Sequence, residues 1–514
     1  ETALGVGQLV SLLRVSLPAV APFETFPTLI ESRTTIGPIE LTGAEIGALI
    51  LAPTVALALW WVLERTTTGA VFRAAAANPD ATRLVGLNAS VVSTAVWVTA
   101  GALAALSAIT AVPLRGGIAG VIATVGPGLL LRGFAAAAVG RFNSVPLTLV
   151  GGLGLGVAEA LVIYWADDPG LANLVVFLMV LGGLAAMPRE ATSDRPTAPT
   201  TLRPWSDWPV TMRVRAARLG PYALGIAAIV ALPYFVTSAG NTFQLARLAT
   251  LVLVVASATV LAGWSGQVSL AQFALAGVGA IVSARLVDGG AGWELSLLGG
   301  AVAAAVAAGI IAIPTSNLRG SMLAIATLGL SVMAPAWLFR IGLTGDELVF
   351  EDPRFDFGLF ELRPQRAYYF FVLVFAALVF TALAALGSRA TGRRWRAVRD
   401  YDRAAAAMGI SAWRTRVAAF VVSGLVAGLA GGLLGGLLVN FRRGEFEAAD
   451  SIEVMVMAVI GGLGSLAGAV MGVVYVGALP AFFSDLDSLQ LLVSGVGLLV
   501  FLLYFPEGMA GLLH

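Results

Sequence analysis

The sequence predicts an all-α, polytopic membrane protein, and three observations carry that reading. Of 514 residues, 58% are hydrophobic and 12% charged, where soluble domains carry about 25% charge. The apolar residues gather into runs of about 20, the length a helix needs to cross a bilayer. Finally, a polar, arginine-bearing loop occurs twice at one fixed offset, which divides the spans into two related halves.

Taken in order, the runs read as spans are 43–63, 89–112, 146–166, 171–187, 221–238, 243–263, 293–313, 368–386, 415–440 and 485–504. Alanine and glycine fill many of them. Small residues let helices approach closely in lipid, where packing replaces the hydrophobic drive.

The repeated loop runs from Arg73 to Leu87 and again from Arg396 to Ile410, with 396 − 73 = 323 and 409 − 86 = 323. Thr68-Gly69 and Thr391-Gly392 keep this offset, as do Gly101 and Gly424. Further on, Gly140–Ser144 matches Gly461–Ser465, and Ala186-Met187-Pro188 matches Tyr504-Phe505-Pro506, at offsets of 321 and 318. Both loops must lie on one side, so the repeat is parallel. The proline-rich, polar stretch between the halves excludes a buried span, which sets a first half at 1–190, a linker at 191–219 and a second half at 220–514. Nothing before Glu1 corresponds to 221–340, so the first half is expected to lack about three spans at its amino end.

Charge placement gives an orientation. Arginines cluster at 65–83, 189–218 and 389–416, while acidic residues collect in 342–361 and 445–453. By the positive-inside rule, loops 69–88 and 392–411 and linker 191–219 are cytoplasmic and the acidic loops external. Orienting the protein explains the arginine asymmetry but not the shared register. That register points to two equivalent docking points for a partner outside the bilayer, each a short helix bounded by glycines. In the second, arginines alternate with Ala397, Val398, Ala404 and Met408, an apolar edge that can seat in a partner's groove.

Absences narrow the chemistry. There is no cysteine, His514 is the sole histidine, and every one of the 31 basic residues is arginine. Thiol chemistry is excluded and histidine acid–base catalysis has nothing to work with. A Walker A loop needs a lysine on the phosphates, so any ATP that drives this protein must be hydrolysed on another polypeptide.

One stretch interrupts the apolar pattern with glycines, hydroxyls and amides: Gly263, Trp264, Ser265, Gly266, Gln267, Val268, Ser269, Leu270, Ala271, Gln272. Such groups at membrane depth are tolerated where helices break and line a cavity, and the freed backbone suits a zwitterionic or amide solute. A glycine-packed, hydrogen-bonded patch between helices accounts for it equally well. Arg319 reads as a topology anchor. Glu159 and Glu453 each face a water path, a neighbouring helix or the interface.

These segments together resemble the permeases of ABC importers for branched-chain amino acids and, more distantly, urea and amides. The second half carries the resemblance in Gly263–Ser269 with Gly277 and Gly279, in Leu318-Arg319-Gly320, and in Leu343-Thr344-Gly345. Arg396–Gly409, Gly461-Gly462-Leu463-Gly464-Ser465 and Phe505-Pro506-Glu507-Gly508 complete it. The first half carries it in Arg73–Gly86 and Met187-Pro188. Such importers pair two different permeases, so this chain looks like a fusion of both, with a type II-like importer fold.

The resemblance implies ATPase coupling through Arg73, Asp80, Gly86, Arg396, Arg399, Asp402 and Gly409. It places Gly263, Ser265, Gly266, Gln267, Ser269 and Gln272 along the solute path. It also implies separate ABC ATPase subunits carrying ATP and Mg, an extracytoplasmic solute-binding protein and contact with membrane lipid. No cofactor is expected in this chain, no enzymatic activity of its own, and no nucleic-acid partner. Gln272 and Ala271 depart from the histidine and glycine frequent in relatives. The competing expectation is a secondary transporter driven by an ion gradient, which would need acidic groups paired within its spans.

Overall fold

The computed structural model describes residues 34–36, 39–114, 127–166, 168–186, 225, 227, 229–235, 238–316, 318, 320–342, 347–349, 365–478, 481 and 508–510. Among these, eight helices are long and apolar enough to cross a membrane, and a bent helix pair supplies a possible ninth span. The all-α, multi-pass expectation therefore holds. The exceptions are two short antiparallel ladders, β1 (Thr34–Ile36) with β2 (Ile39–Leu41) and β3 (Glu347–Val349) with β4 (Asn440–Arg442).

The chain divides into two compact units. One is 19–168 with 175–184; the other is 1–18, 169–174 and 185–514. In the first, α1 (Gly43–Arg65) leads into two short helices, α2 (Thr67–Ala77) and α3 (Pro79–Leu84), and then α4 (Ala89–Leu114). Helices α5 (Pro127–Val139) and α6 (Val145–Ala166) follow and pack on each other, and α7 (Pro169–Ala185) gives residues 175–184 to this unit and its two ends to the other. A methyl on Gly151 of α6 would press on the Ala136 carbonyl of α5, so the close crossing needs glycine there. Glu159 is resolved in favour of a neighbouring helix: the Arg132 guanidinium donates to its carboxylate at 2.8 Å. Glu453 stands exposed on the surface of its unit.

The second unit begins with α8 (Ala239–Ala258), which runs on through a π-helical turn, Thr259–Trp264. After an irregular stretch come α9 (Gln272–Asp288), α10 (Trp293–Thr315) and α11 (Gly320–Met333), the last continuing through a second π turn into α12 (Phe339–Gly342). Helices α13 (Gln365–Ser388), α14 (Ala390–Asp400), α15 (Asp402–Ala407) and α16 (Ala412–Leu438) follow. Then α17 (Ala448–Gly461) and α18 (Leu466–Val473) form the pair bent by 117°.

Helix α16 is the core of this unit, packed against α9, α10 and α8. Its glycines make that possible. A methyl on Gly431 would run into the Ala276 carbonyl of α9, and one on Gly424 would meet Ala308 and Ala304 of α10. The opposite face of α10 shows Leu295, Leu298, Val302, Val306 and Ile310, a stripe at helical spacing suited to lipid. The 27 residues of α16 span about 40 Å. Arg414 and Arg416 stand at one end of that helix and the β3–β4 ladder at the other, so the acidic strand β3 lies at the end away from the arginine loop.

The two arginine loops share one backbone. Each expected single helix is two helices, and the break falls at equivalent residues: Asn78 (φ −153, ψ 95) and Tyr401 (φ −157, ψ 89). In the first loop the cause is local, because Pro79 drives the residue before it into the extended region. All helix bounds in the loops differ by 323: 67–77 and 79–84 against 390–400 and 402–407. Gly86 (φ 83) and Gly409 (φ 79) close the loops in the left-handed conformation that favours glycine. The later repeat also holds: Gly472 abuts the Met457 carbonyl as Gly151 abuts that of Ala136, both pairs offset by 321.

Candidate functional site: a broken span tied to an arginine loop

The expected break at 263–272 is present. Helix α8 ends in the π turn and Ser265, residues 266–271 are irregular, and α9 starts at Gln272. A π turn inserts a residue into the helical ladder and often marks functional positions. Ser265 (4% exposed), Gln267 (4%), Ser269 (2%) and Gln272 (1%) are all buried. Gly266 alone among the six expected path residues is exposed.

Burial of an irregular backbone requires polar partners, and three other helices, α11, α16 and α17, supply them. The Leu270 amide donates to Thr327 Oγ1 at 2.9 Å, and Ser331 Oγ donates to the Leu270 carbonyl at 2.5 Å, both from α11. The Phe273 amide donates to Ser451 Oγ of α17 at 3.2 Å. Gln267 Nε2 donates to Ser265 Oγ (2.5 Å) and to the Arg416 carbonyl of α16 (3.3 Å). Gly263 fits against the turn after α17 so closely that any side chain there would overlap the Leu463 carbonyl.

The two glutamines hold incompletely bonded amides. Gln267 Oε1 is buried with no hydrogen-bond partner. At Gln272, Oε1 accepts from Ser257 Oγ (2.8 Å) and Ser423 Oγ (3.1 Å), which leaves Nε2 without a partner. Each of those serines also lies within bonding distance of a main-chain carbonyl, Val254 at 2.6 Å and Ser257 at 2.8 Å. A serine has one hydrogen, so turning the Gln272 amide over satisfies both serines and both amide hydrogens, and leaves its carbonyl oxygen as the free end. In either orientation one end of each amide is buried without a partner, a cost of about 1–3 kcal/mol apiece. Such groups in a native structure point to strain or a ligand contact.

The arginine loop of the second half reaches this break. Trp395 of α14 stacks on Trp264, with ring centroids 6.4 Å apart and planes at 28°. Arg399 Nη1 donates to the Gly263 carbonyl at 2.5 Å. Arg396 turns back to the end of α13, donating to the Gly387 carbonyl at 2.6 Å. Its counterpart Arg73 turns back likewise, to Glu64 at 3.8 Å, and 64 and 387 are themselves 323 apart. Asp402 pairs with Arg416 at 3.4 Å, and Arg416 also donates to the Ser316 carbonyl at 2.9 Å. Asp402 thus fixes α15 to the starts and ends of its own unit's spans.

Of the expected apolar edge, Ala404 and Met408 face outward, Ala397 is half-buried, and Val398 does not belong to it. Val398 packs inward, 3% exposed, together with Trp395 and Gly392. The large apolar residues that face outward are Tyr401 and Met408, the latter 81% exposed, and in the first loop Leu84 and Val85, 90% and 79% exposed; of these, Val85 and Met408 pair between the loops. Those two are equivalent positions, 408 − 85 = 323, each just before the left-handed glycine. Sequence reading missed Val85, although the register alone would have paired it with Met408. The backbone of Asp80 lies in α3, and its side chain is outside the described residues, as are Asn317, Arg319, 343–345, 187–188, 505–507, linker 191–219 and the run 485–504. Gly508 is described, and it packs against Gly462, so two further motif segments meet beside Gly263.

The sequence profile of the family described as branched-chain amino acid transport system / permease component matches residues 5–184 and 241–503. The chain is also 34% identical over 144 residues to the high-affinity branched-chain amino acid transport system permease protein BraD of Pseudomonas aeruginosa. That similarity covers 27% of this chain and 45% of the relative, so the match spans less than half of the curated protein. No solved structure matches.

Proposed function

The chain belongs to the family of branched-chain amino acid transport permease components, and on that premise we propose that it is the permease of an ATP-driven importer whose two loops dock ATPase subunits. The observation that carries the proposal is the pair of loops with one backbone geometry, each presenting an exposed apolar residue at its tip, Val85 and Met408. A lone amphipathic loop is satisfied by the membrane interface. Two copies with the same break, the same closing glycine and the same exposed tip suit a pair of like partners.

In this reading the chain is a fusion of two permease types, divided near 1–190, 191–219 and 220–514. Loops 69–88 and 392–411 and the linker face the cytoplasm, where ATP and Mg act on the partner subunits. A solute-binding protein delivers substrate from the opposite side. Branched-chain amino acids or similar small polar solutes, including urea-type amides, are the proposed cargo. The unpartnered ends of Gln267 and Gln272 are the polar contacts we assign to the path, exposed in turn as the spans rock between states. A zwitterion carries both a donor and an acceptor for them.

The ion-coupled alternative needs acidic groups free to titrate inside the spans. Glu159 is instead paired with Arg132, which weakens that reading.

Co-purification tests the docking. Val85→Asp and Met408→Asp place a charge on surfaces that are nearly fully exposed, so folding should change by no more than about 0.5 kcal/mol. Each should weaken ATPase association by about tenfold or more, the effect of one modest interface anchor. Undiminished association of the double variant would remove the docking assignment.

A further inference from the structure

The two loops share a backbone, but the second carries an arginine at a position where the first has alanine. In the second half, α14 is joined to the π turn of α8 by three contacts: the Arg399–Gly263 hydrogen bond, the Trp395–Trp264 stack, and the Arg399 side-chain methylenes lying over Gly266. Gly266 has φ +71, and a methyl there would meet Arg399 Cγ at 2.5 Å, so the turn is shaped around that side chain. Gly387, at the end of α13, also closes on the Trp264 ring, where a methyl would lie 2.9 Å from it. Arg399 is also held by Asp400 at 2.8 Å, which fixes the direction of its guanidinium. Position 399 corresponds to position 76 in the first loop, since 399 − 323 = 76, and Ala76 has no donor to offer.

We propose that Arg399 is a positioning residue that ties motion of α14 directly to the Gly263–Gln267 break, a tether that the alanine at the equivalent position of the first loop does not repeat. This rests on the docking reading above. The carbonyl that Arg399 holds lies at the last turn before the irregular stretch. Two amides of that stretch, Gly266 and Gln267, are bonded to the carbonyls of Ala262 and Leu261 within the same turn. A displacement of α14 therefore pulls on the element that carries Ser265 and Gln267. In the first loop Arg73 contacts Glu64 of the preceding span, and position 76 carries only a methyl group where the second loop carries the Arg399 guanidinium.

The test has two arms. In the first, hydrogen exchange is measured on the full chain in lipid nanodiscs without ATPase. Arg399→Ala should speed exchange of the Gly266 and Gln267 amides about tenfold, Arg399→Lys should restore part of the protection, and Arg73→Ala should leave those amides unchanged. In the second, the chain with its co-purified ATPase subunits is placed in vesicles, and radiolabelled leucine uptake is compared with ATP hydrolysis. Arg399→Ala should retain the ATPase subunits and their hydrolysis while uptake per ATP falls at least fivefold, with partial rescue by lysine. Unchanged exchange in Arg399→Ala overturns the proposal, as does loss of the ATPase subunits from that variant, which would make Arg399 a docking residue. Failure of the wild-type chain to retain any ATPase would strike the docking reading instead, and the exchange arm would still decide whether Arg399 holds the break.

Discussion

At the scale of single residues, the decisive feature is a pair of buried amides that cannot satisfy both of their ends. Replacing Gln267 with alanine removes two donated hydrogen bonds, to Ser265 and to the Arg416 carbonyl, and one unpartnered oxygen. Because removing the unpartnered oxygen relieves a cost of about 1–3 kcal/mol that offsets the lost bonds, thermal stability should fall only slightly, whereas solute stimulation of the partner ATPase should drop severalfold. A wild-type response to solute would return the segment to a packing role. Asp402 makes the opposite case. Its carboxylate partners Arg416, a buried arginine, and Asp402→Ala leaves that cation with less compensation. We expect a loss of about 1–3 kcal/mol, seen as a lower unfolding temperature in detergent. The polar character of 263–272 could be read from its glycines, hydroxyls and amides. That Gln272 is enclosed by Ser257 and Ser423 could not, because those partners stand 15 and 151 positions away.

At the scale of elements, glycine governs how closely the helices cross. Gly431→Val on α16 would force its side chain into the Ala276 carbonyl of α9, and overpacking of this kind costs about 1–3 kcal/mol or more. The expected result is a large drop in folded yield, while valine at Gly47, where an added methyl meets nothing within 4 Å, should be tolerated. Most spans were legible from apolar length: 43–63 and 293–313 became 43–65 and 293–315. Helix α9 was not, since Gly277, Gly279, Ser283 and Arg285 dilute its pattern, and a helix buried on nearly every side by close neighbours needs small residues more than greasy ones. The break inside each arginine loop also escaped reading. Pro79 signals it in the first copy, but Tyr401-Asp402 carries no such mark, and only the register between the copies transfers the signal.

At the scale of the whole molecule, the account rests on the two loops facing one side of the membrane and docking like partners. Length, composition and the repeat gave the class and the offset of 323, and the structure reproduces that offset in every helix boundary of the loops. The outward edge of each loop depended on which side of α14 packs inward, which the helical spacing of arginine and alanine did not determine. The chain contains no cysteine, so one introduced thiol reports its own position without interference. Val85→Cys and Met408→Cys place that thiol at equivalent, exposed tips. In sealed vesicles of known orientation, a membrane-impermeant maleimide should label both variants from the cytoplasmic side only, and added ATPase subunits should protect both. Labelling of the two positions from opposite sides of the membrane would contradict the account.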